Sequence, residues 1–166
     1  ISISNETGLT PGTSDFTIEC WVYFSSTTTN QGIFQLDTSP LSGTTYIAPV
    51  LFTGGGPYAG RWGTMKKYGG DQSLYADSSH NPVVGVWYHT AVVRTSNTVK
   101  VFVDGVQVIN DFTDASDFTD RDSLVIGSMF SSSYQFTGYI SNFRYVKGTA
   151  LYTSAFTPPT TPLTNI

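Results

Sequence analysis

Polar and apolar residues alternate along this chain with a period of two. Residues 16–24, Phe-Thr-Ile-Glu-Cys-Trp-Val-Tyr-Phe, form its longest apolar-rich run. As a strand, this run puts Phe16, Ile18, Cys20, Val22 and Phe24 on one face and Thr17, Glu19, Trp21 and Tyr23 on the other. The Trp and Tyr on the second face imply that both faces are at least partly covered. Residues 32–37 form a short strand. Residues 86–95 and 99–104 make the clearest hairpin, joined through Ser96 and Asn97. Asp104-Gly105 is a second tight turn, into 106–109, because Asp-Gly readily takes the positive φ angles of a type I′ turn. Residues 124–127 and 138–145 supply two more strands. Between Ser39 and Asn81 the pattern loosens. Gly54-Gly55-Gly56-Pro57 breaks it, and 46–48, 50–52, 61–68 and 73–76 are shorter, less regular strands. About ten strands alternate with turn signals, and no helical period persists beyond a turn or two, which predicts an all-β, two-sheet antiparallel sandwich.

Composition supports this and narrows the function. Thr, Ser, Val, Tyr and Phe are abundant, and glutamate occurs twice, a strand composition. The 166 residues suit one domain. Aromatics at 14% can fill a sizeable core despite an apolar fraction of 39%. Charged residues make up 12%, and the net charge of −4 argues against electrostatic nucleic-acid binding, which needs clustered cations. A single cysteine, Cys20, excludes an internal disulfide framework and a Cys-based zinc site. No stretch approaches the roughly 18 apolar residues of a membrane-spanning helix. Ile1 opens directly into alternating residues without the charged start of a secretory leader, and the abrupt ends suggest a domain excised from a longer protein. The expected division is a sandwich over 1–155 and a Pro/Thr-rich extended segment over 156–166, which leaves the domain or wraps its edge.

Four motifs carry a family resemblance. Asp15 to Tyr23 (DFTIECWVY) resembles the opening strand of laminin G-like, concanavalin A-like lectin domains. Trp87 to Arg94 (WYHTAVVR) resembles their W-x-H-x-A-x-x-R strand, and Val103-Asp104-Gly105 their VDG turn. Ile126-Gly127 followed by Phe136 to Arg144 (FTGYISNFR) is similar to their closing strand. The ending GTALYTSAFTPPTTPL, Gly148 to Leu163, looks like the version found in bacteriophage structural and tail-associated proteins. The resemblance implies a jelly-roll-like sandwich of curved antiparallel sheets. Relatives bind glycans, bind proteins or serve as structural modules, and some hold a calcium ion at the rim. Function is therefore a question of the site, not of the fold.

Catalysis finds little support in the residues. Glycoside hydrolysis uses two facing carboxyl groups, and the glutamates are Glu6, near the start, and Glu19, inside the first motif. His89 sits mid-strand among apolar neighbours as a structural histidine, and His80 lies in a polar loop. Cys20 alternates with Ile18 and Val22 and should be a buried thiol behaving as a small hydrophobe. Residues 111–122 hold five aspartates, the oxygen-rich composition that suits calcium, although their spacing of three does not match an EF-hand, and Asp side chains also cap turns. Asp111, Asp114 and, at a strand end, Asp37 are the candidate ligands, with calcium as the candidate cofactor. For a glycan, the candidates are Tyr58, Arg61, Trp62, Tyr68, Asp71 and Tyr75, aromatics with polar neighbours in the loop-rich middle segment. The competing reading is that these rings fill the core, while Arg61 is exposed.

The expectation is a non-catalytic adhesion or decoration module of a phage virion or similar surface protein, at the virion surface or outside the cell. It would recognise host-surface glycans through rim loops, with many copies supplying avidity through an oligomeric parent protein. The alternative is a structural module that binds other virion proteins and no sugar, and calcium-dependent protein adhesion is a third class. An exposed aromatic in a concavity marks the first, a broad apolar patch the second.

Overall fold

The computed structural model describes residues 1–4, 6–28, 30–36, 47–52, 61–68, 71–76, 81–115, 117–118, 123–129 and 134–164, with the backbone alone at 47–52, 65–68 and 71–76. Among the described residues there are twelve strands and one short 3-10 turn, Thr7–Leu9. The strands are β1 (Ser2–Ile3), β2 (Phe16–Phe24), β3 (Gln31–Gly32), β4 (Phe34–Leu36), β5 (Ile47–Phe52) and β6 (Arg61–Tyr68). They continue with β7 (Asp71–Ala76), β8 (Trp87–Thr95), β9 (Thr98–Val103), β10 (Val106–Thr113), β11 (Leu124–Ile126) and β12 (Gly138–Lys147).

One layer is a five-stranded sheet in the order β10-β9-β8-β2-β12. The other comprises two ladders, β1-β11-β4 and β3-β5-β6-β7. Ile33 alone separates β3 from β4, so the two ladders continue one another along a single chain run. Every pairing is antiparallel. This is the two-sheet antiparallel sandwich that the period-two pattern predicts.

The core lies between the layers. Phe16, Ile18, Cys20, Val22 and Phe24 of β2 are all fully buried, as are Ile33, Phe34 and Leu36 of the opposing layer. Burying such side chains stabilises by about 1.5–3 kcal/mol each, which explains why the alternation in β2 is so regular. Arg94 also points inward, at the end of β8. Its guanidinium donates to the carbonyls of Gly12 (2.7 Å) and Ser14 (3.1 Å from Nε) and lies over the rings of Phe16 and Phe118. Burial disfavours its charge, while Asp114 and Asp15 nearby support it.

Local chemistry sets the turns. Ser96 and Asn97 have φ of 46° and 65°, and Asp104 and Gly105 have 49° and 76°, so both hairpins turn with two consecutive positive φ angles as type I′ turns do. Gly105 has a second role. A Cβ there would sit 1.7 Å from the carbonyl oxygen of Phe156, whose own N–H donates to the Gly105 carbonyl at 3.0 Å. The C-terminal segment thus runs against the hairpin. It wraps the outer face of the five-stranded sheet, and not merely its edge. Thr17 Oγ1 donates to the Thr149 carbonyl and accepts from the Leu151 N–H. Tyr152 and Phe156 stack at 3.6 Å, and Phe156 packs edge-on against Phe102. Ala91, Val93 and Phe102 are buried beneath this cover as a second small core.

Candidate functional site

Strand register arranges the outer face of the five-stranded sheet in rows across β8, β2 and β12. Tyr23 pairs with Trp87 and with Tyr139, and Trp21 pairs with His89 and with Ser141. Glu19 pairs with Ala91 and Arg144. Cross-strand partners share a face, so each row places its side chains together.

The Glu19 row is sealed. Glu19 and His89 are fully buried. The Glu19 carboxylate accepts from Arg144 Nε (2.8 Å) and Tyr152 Oη (3.0 Å), and lies 3.0 Å from His89 Nε2. Burial pushes this carboxyl up, but the bonds from His89, Arg144 and Tyr152 outweigh it and hold Glu19 below the ordinary carboxylate range. Tyr152 is pushed up to about 12, by burial and by the Glu19 charge, so its hydroxyl remains a donor. Arg144 Nη1 donates to the carbonyl of Thr164. The network ties the sheet to the segment that covers it and presents no free acid to a substrate.

The Trp87 row stays open. Trp87 is 43% exposed and Tyr139 65%, and the Tyr23 ring lies between them at 5.5 and 5.7 Å between centroids. Beside this row is a cleft of about 500 Å³. Trp21 and Trp87 form its apolar floor, with Ser141 and Asn142 at one side. The C-terminal segment, through Pro159, Thr160, Thr161 and Pro162, makes its other wall. The register of β12 against β2 slips between Ser141 and Arg144, three steps opposing two, and Asn142 has φ of 50°. This is a β-bulge, a device that re-aims a side chain, and it coincides with the cleft. Apolar walls with a few hydroxyl and amide groups suit a small polar ligand that offers one apolar face.

Of the residues singled out in the middle segment, Arg61 and Trp62 are described with their side chains. Trp62 is 1% exposed, packed edge-on against Phe24 (5.3 Å) and Tyr88 (5.5 Å), so it fills the core and has no face for a ligand. Its expected ligand role is corrected by this placement: β6 lies over β2, and the large apolar ring belongs to the space between the layers. Arg61 is half-buried, at the opposite end of the eight-residue β6 from Tyr68. Tyr68 pairs with Asp71 next to the β6–β7 turn, and Tyr75 pairs with Thr64 in mid-ladder. The side chains of Tyr68, Asp71 and Tyr75, and all of Tyr58, Asp37 and His80, lie outside the described residues.

Of the metal candidates, Asp111 accepts from Lys100 (2.7 and 2.9 Å) and from Gln107 (2.7 Å); the Lys100 bond chiefly holds its carboxyl below the usual range. Asp114 is fully buried beyond the end of β10. Among the described residues no group of three or more His, Cys, Asp or Glu side chains could hold a metal ion.

Sequence reasoning passed over Trp21, Tyr23, Trp87 and Tyr139. One signal was present: two aromatics, i and i+2, on the polar face of β2. Trp87 was hidden inside a framework motif.

A family model described as the concanavalin A-like lectin/glucanases superfamily, of laminin G type, matches residues 1–155. No curated protein sequence matches the chain. Among solved structures, domain 4 of the extracellular arabinanase AbnA from Geobacillus stearothermophilus, in complex with arabinotriose, superposes with a TM-score of 0.66 at 20% identity, covering 90% of this chain and 71% of that one. The CBM40 of a Ruminococcus gnavus sialidase, bound to α2,3-sialyllactose, gives 0.63 at 14%, covering 85% and 79%. A SAP-like pentraxin from Limulus polyphemus gives 0.58 at 13%, covering 82% of this chain and 65% of that one, so the chain spans just under two thirds of the pentraxin's length.

Proposed function

The chain belongs to the concanavalin A-like lectin/glucanases superfamily, and from that premise we propose that it is a non-catalytic glycan-binding module. The carrying observation is the open Trp21–Trp87 cleft, flanked by Tyr23 and Tyr139. A sugar ring has apolar C–H faces that stack on aromatics and hydroxyls that pair with Ser, Thr and Asn. Solved relatives of this fold carry arabinotriose and sialyllactose, which supports the same class of ligand here. The Glu19 carboxylate is fully committed to its buried partners, which favours binding over hydrolysis. The proposed site is formed by sheet face and C-terminal segment, where sequence reasoning had placed it in the middle-segment loops. The proposed setting is an extracellular or virion surface, where many copies raise avidity; the low charge and the phage-like ending of the sequence support it.

The test is a glycan array probed with the multivalently displayed domain, in calcium and again in chelator. Binding that Trp87→Ala abolishes supports the reading, and loss in chelator would show that calcium takes part in it. One observation favours a second reading. Val83, Val84 and Val86 are exposed in the segment leading to Trp87. If a folded domain is silent on the array, this apolar patch becomes the contact surface of a structural module that binds a protein neighbour.

A further inference from the structure

We infer that the Trp21–Trp87 cleft selects an uncharged glycan and discriminates against sialylated or sulfated ones. This rests on reading the cleft as the glycan site. Among the described residues, the cleft is lined by indole rings, prolines, Ser141, Asn142, Thr160 and Thr161, with no formal charge. Each polar group there offers a neutral donor or acceptor, which matches sugar hydroxyls. A carboxylate or sulfate entering the same space would lose hydration and needs a cation in return.

The nearest described cation along β12 is Arg144, and its three guanidinium nitrogens are already engaged. Nε and Nη2 bond the buried Glu19 carboxylate, and Nη1 donates to the Thr164 carbonyl. The charge of Arg144 is already balanced by the buried Glu19 carboxylate, so it offers an anion in the cleft little net positive charge. Lys147 stands at the far end of β12, six residues from Ser141 and so about 20 Å away along an extended strand. The net charge of −4 gives no long-range attraction for an anionic ligand either.

The C-terminal segment therefore defines specificity as well as shape. It supplies Thr160 and Thr161 as the hydroxyl wall, and it occupies Arg144 through Thr164.

The experiment uses the intact chain against an array of neutral oligosaccharides, each paired with its sialylated and its sulfated counterpart, at 50 and 500 mM salt. Hits are confirmed by calorimetry. The expected result is binding to neutral members, at least about tenfold weaker binding to their anionic counterparts, and less than a twofold change with salt. Trp87→Ala, at an exposed position, should lose the signal while the protein stays folded by circular dichroism. Thr160→Lys, which brings a cation to the wall, should narrow the neutral-to-anionic ratio. Preferential, salt-sensitive binding of anionic members would overturn this inference while leaving the glycan reading intact. Binding to no array member would overturn the glycan reading itself, and this inference with it.

Discussion

Replacing Glu19 by Gln keeps the side-chain volume and removes one buried charge. In the native structure that charge receives bonds from Arg144, Tyr152 and His89, with donor–acceptor distances of 2.8, 3.0 and 3.0 Å. Charge-assisted bonds contribute about 1.5–3 kcal/mol each and neutral ones about 0.5–1.5 kcal/mol, so three downgraded bonds lose about 3 kcal/mol together. That sits at the lower end of the cost of breaking a buried ion pair, as expected when the amide still offers hydrogen bonds. At this chain length each kcal/mol lowers Tm by about 2–4 °C, so the expected drop at pH 7 is roughly 6–12 °C. The pH dependence follows from the same network. The native carboxyl titrates below its unfolded value, so its contribution is complete above the unfolded carboxyl pKa and is lost as pH falls through the native one. The gap between wild type and Glu19→Gln should therefore be widest from pH 5 to 8 and close progressively below about pH 4. Urea unfolding at a series of pH values measures it. A gap that stays constant down to pH 2.5, or one below about 0.5 kcal/mol at pH 7, would refute the argument that this carboxylate anchors the C-terminal cover.

Three further outcomes follow from the geometry. Gly105→Ala adds a Cβ both at a positive φ and against the Phe156 carbonyl; it should cost about 1–3 kcal/mol and speed hydrogen exchange at Phe156. Trp62→Ala should destabilise by about 3–5 kcal/mol yet leave glycan affinity per folded molecule unchanged, whereas Trp87→Ala should do the reverse; matched thermal melts and calorimetry separate the two. Cys20 is fully buried and its thiol is pushed far above the usual range, so an aromatic disulfide reagent should label it only at the rate of unfolding, and immediate labelling of native protein would contradict that placement.

Strand identity was legible because it is local. The alternation in 16–24 assigned the core face of β2 residue by residue, and Ser96-Asn97 and Asp104-Gly105 announced their turns through the φ angles they tolerate. The all-β class followed from the same signals. Trp62 was not legible, because an aromatic in a Gly-rich segment looks alike whether it caps a core or faces a ligand. What decided it was packing between the layers, which sets Trp62 against Phe24 and Tyr88, residues far from it in sequence. The site was missed for a related reason. Trp21, Glu19 and Tyr23 stand on one face of one strand with the same alternation, yet Glu19 is sealed, Trp21 is half-buried on a cleft floor, and Tyr23 lies between two exposed rings. Their different fates depend on where the C-terminal segment crosses the sheet more than a hundred residues later. The sequence by itself determined which residues extend, which turn and which face of β2 lines the core, since these are properties of neighbours one to four positions apart. The tertiary structure alone decided which outer face is covered, how far, and therefore where an opening of about 500 Å³ remains, because coverage is set by contacts between segments that the linear pattern does not connect.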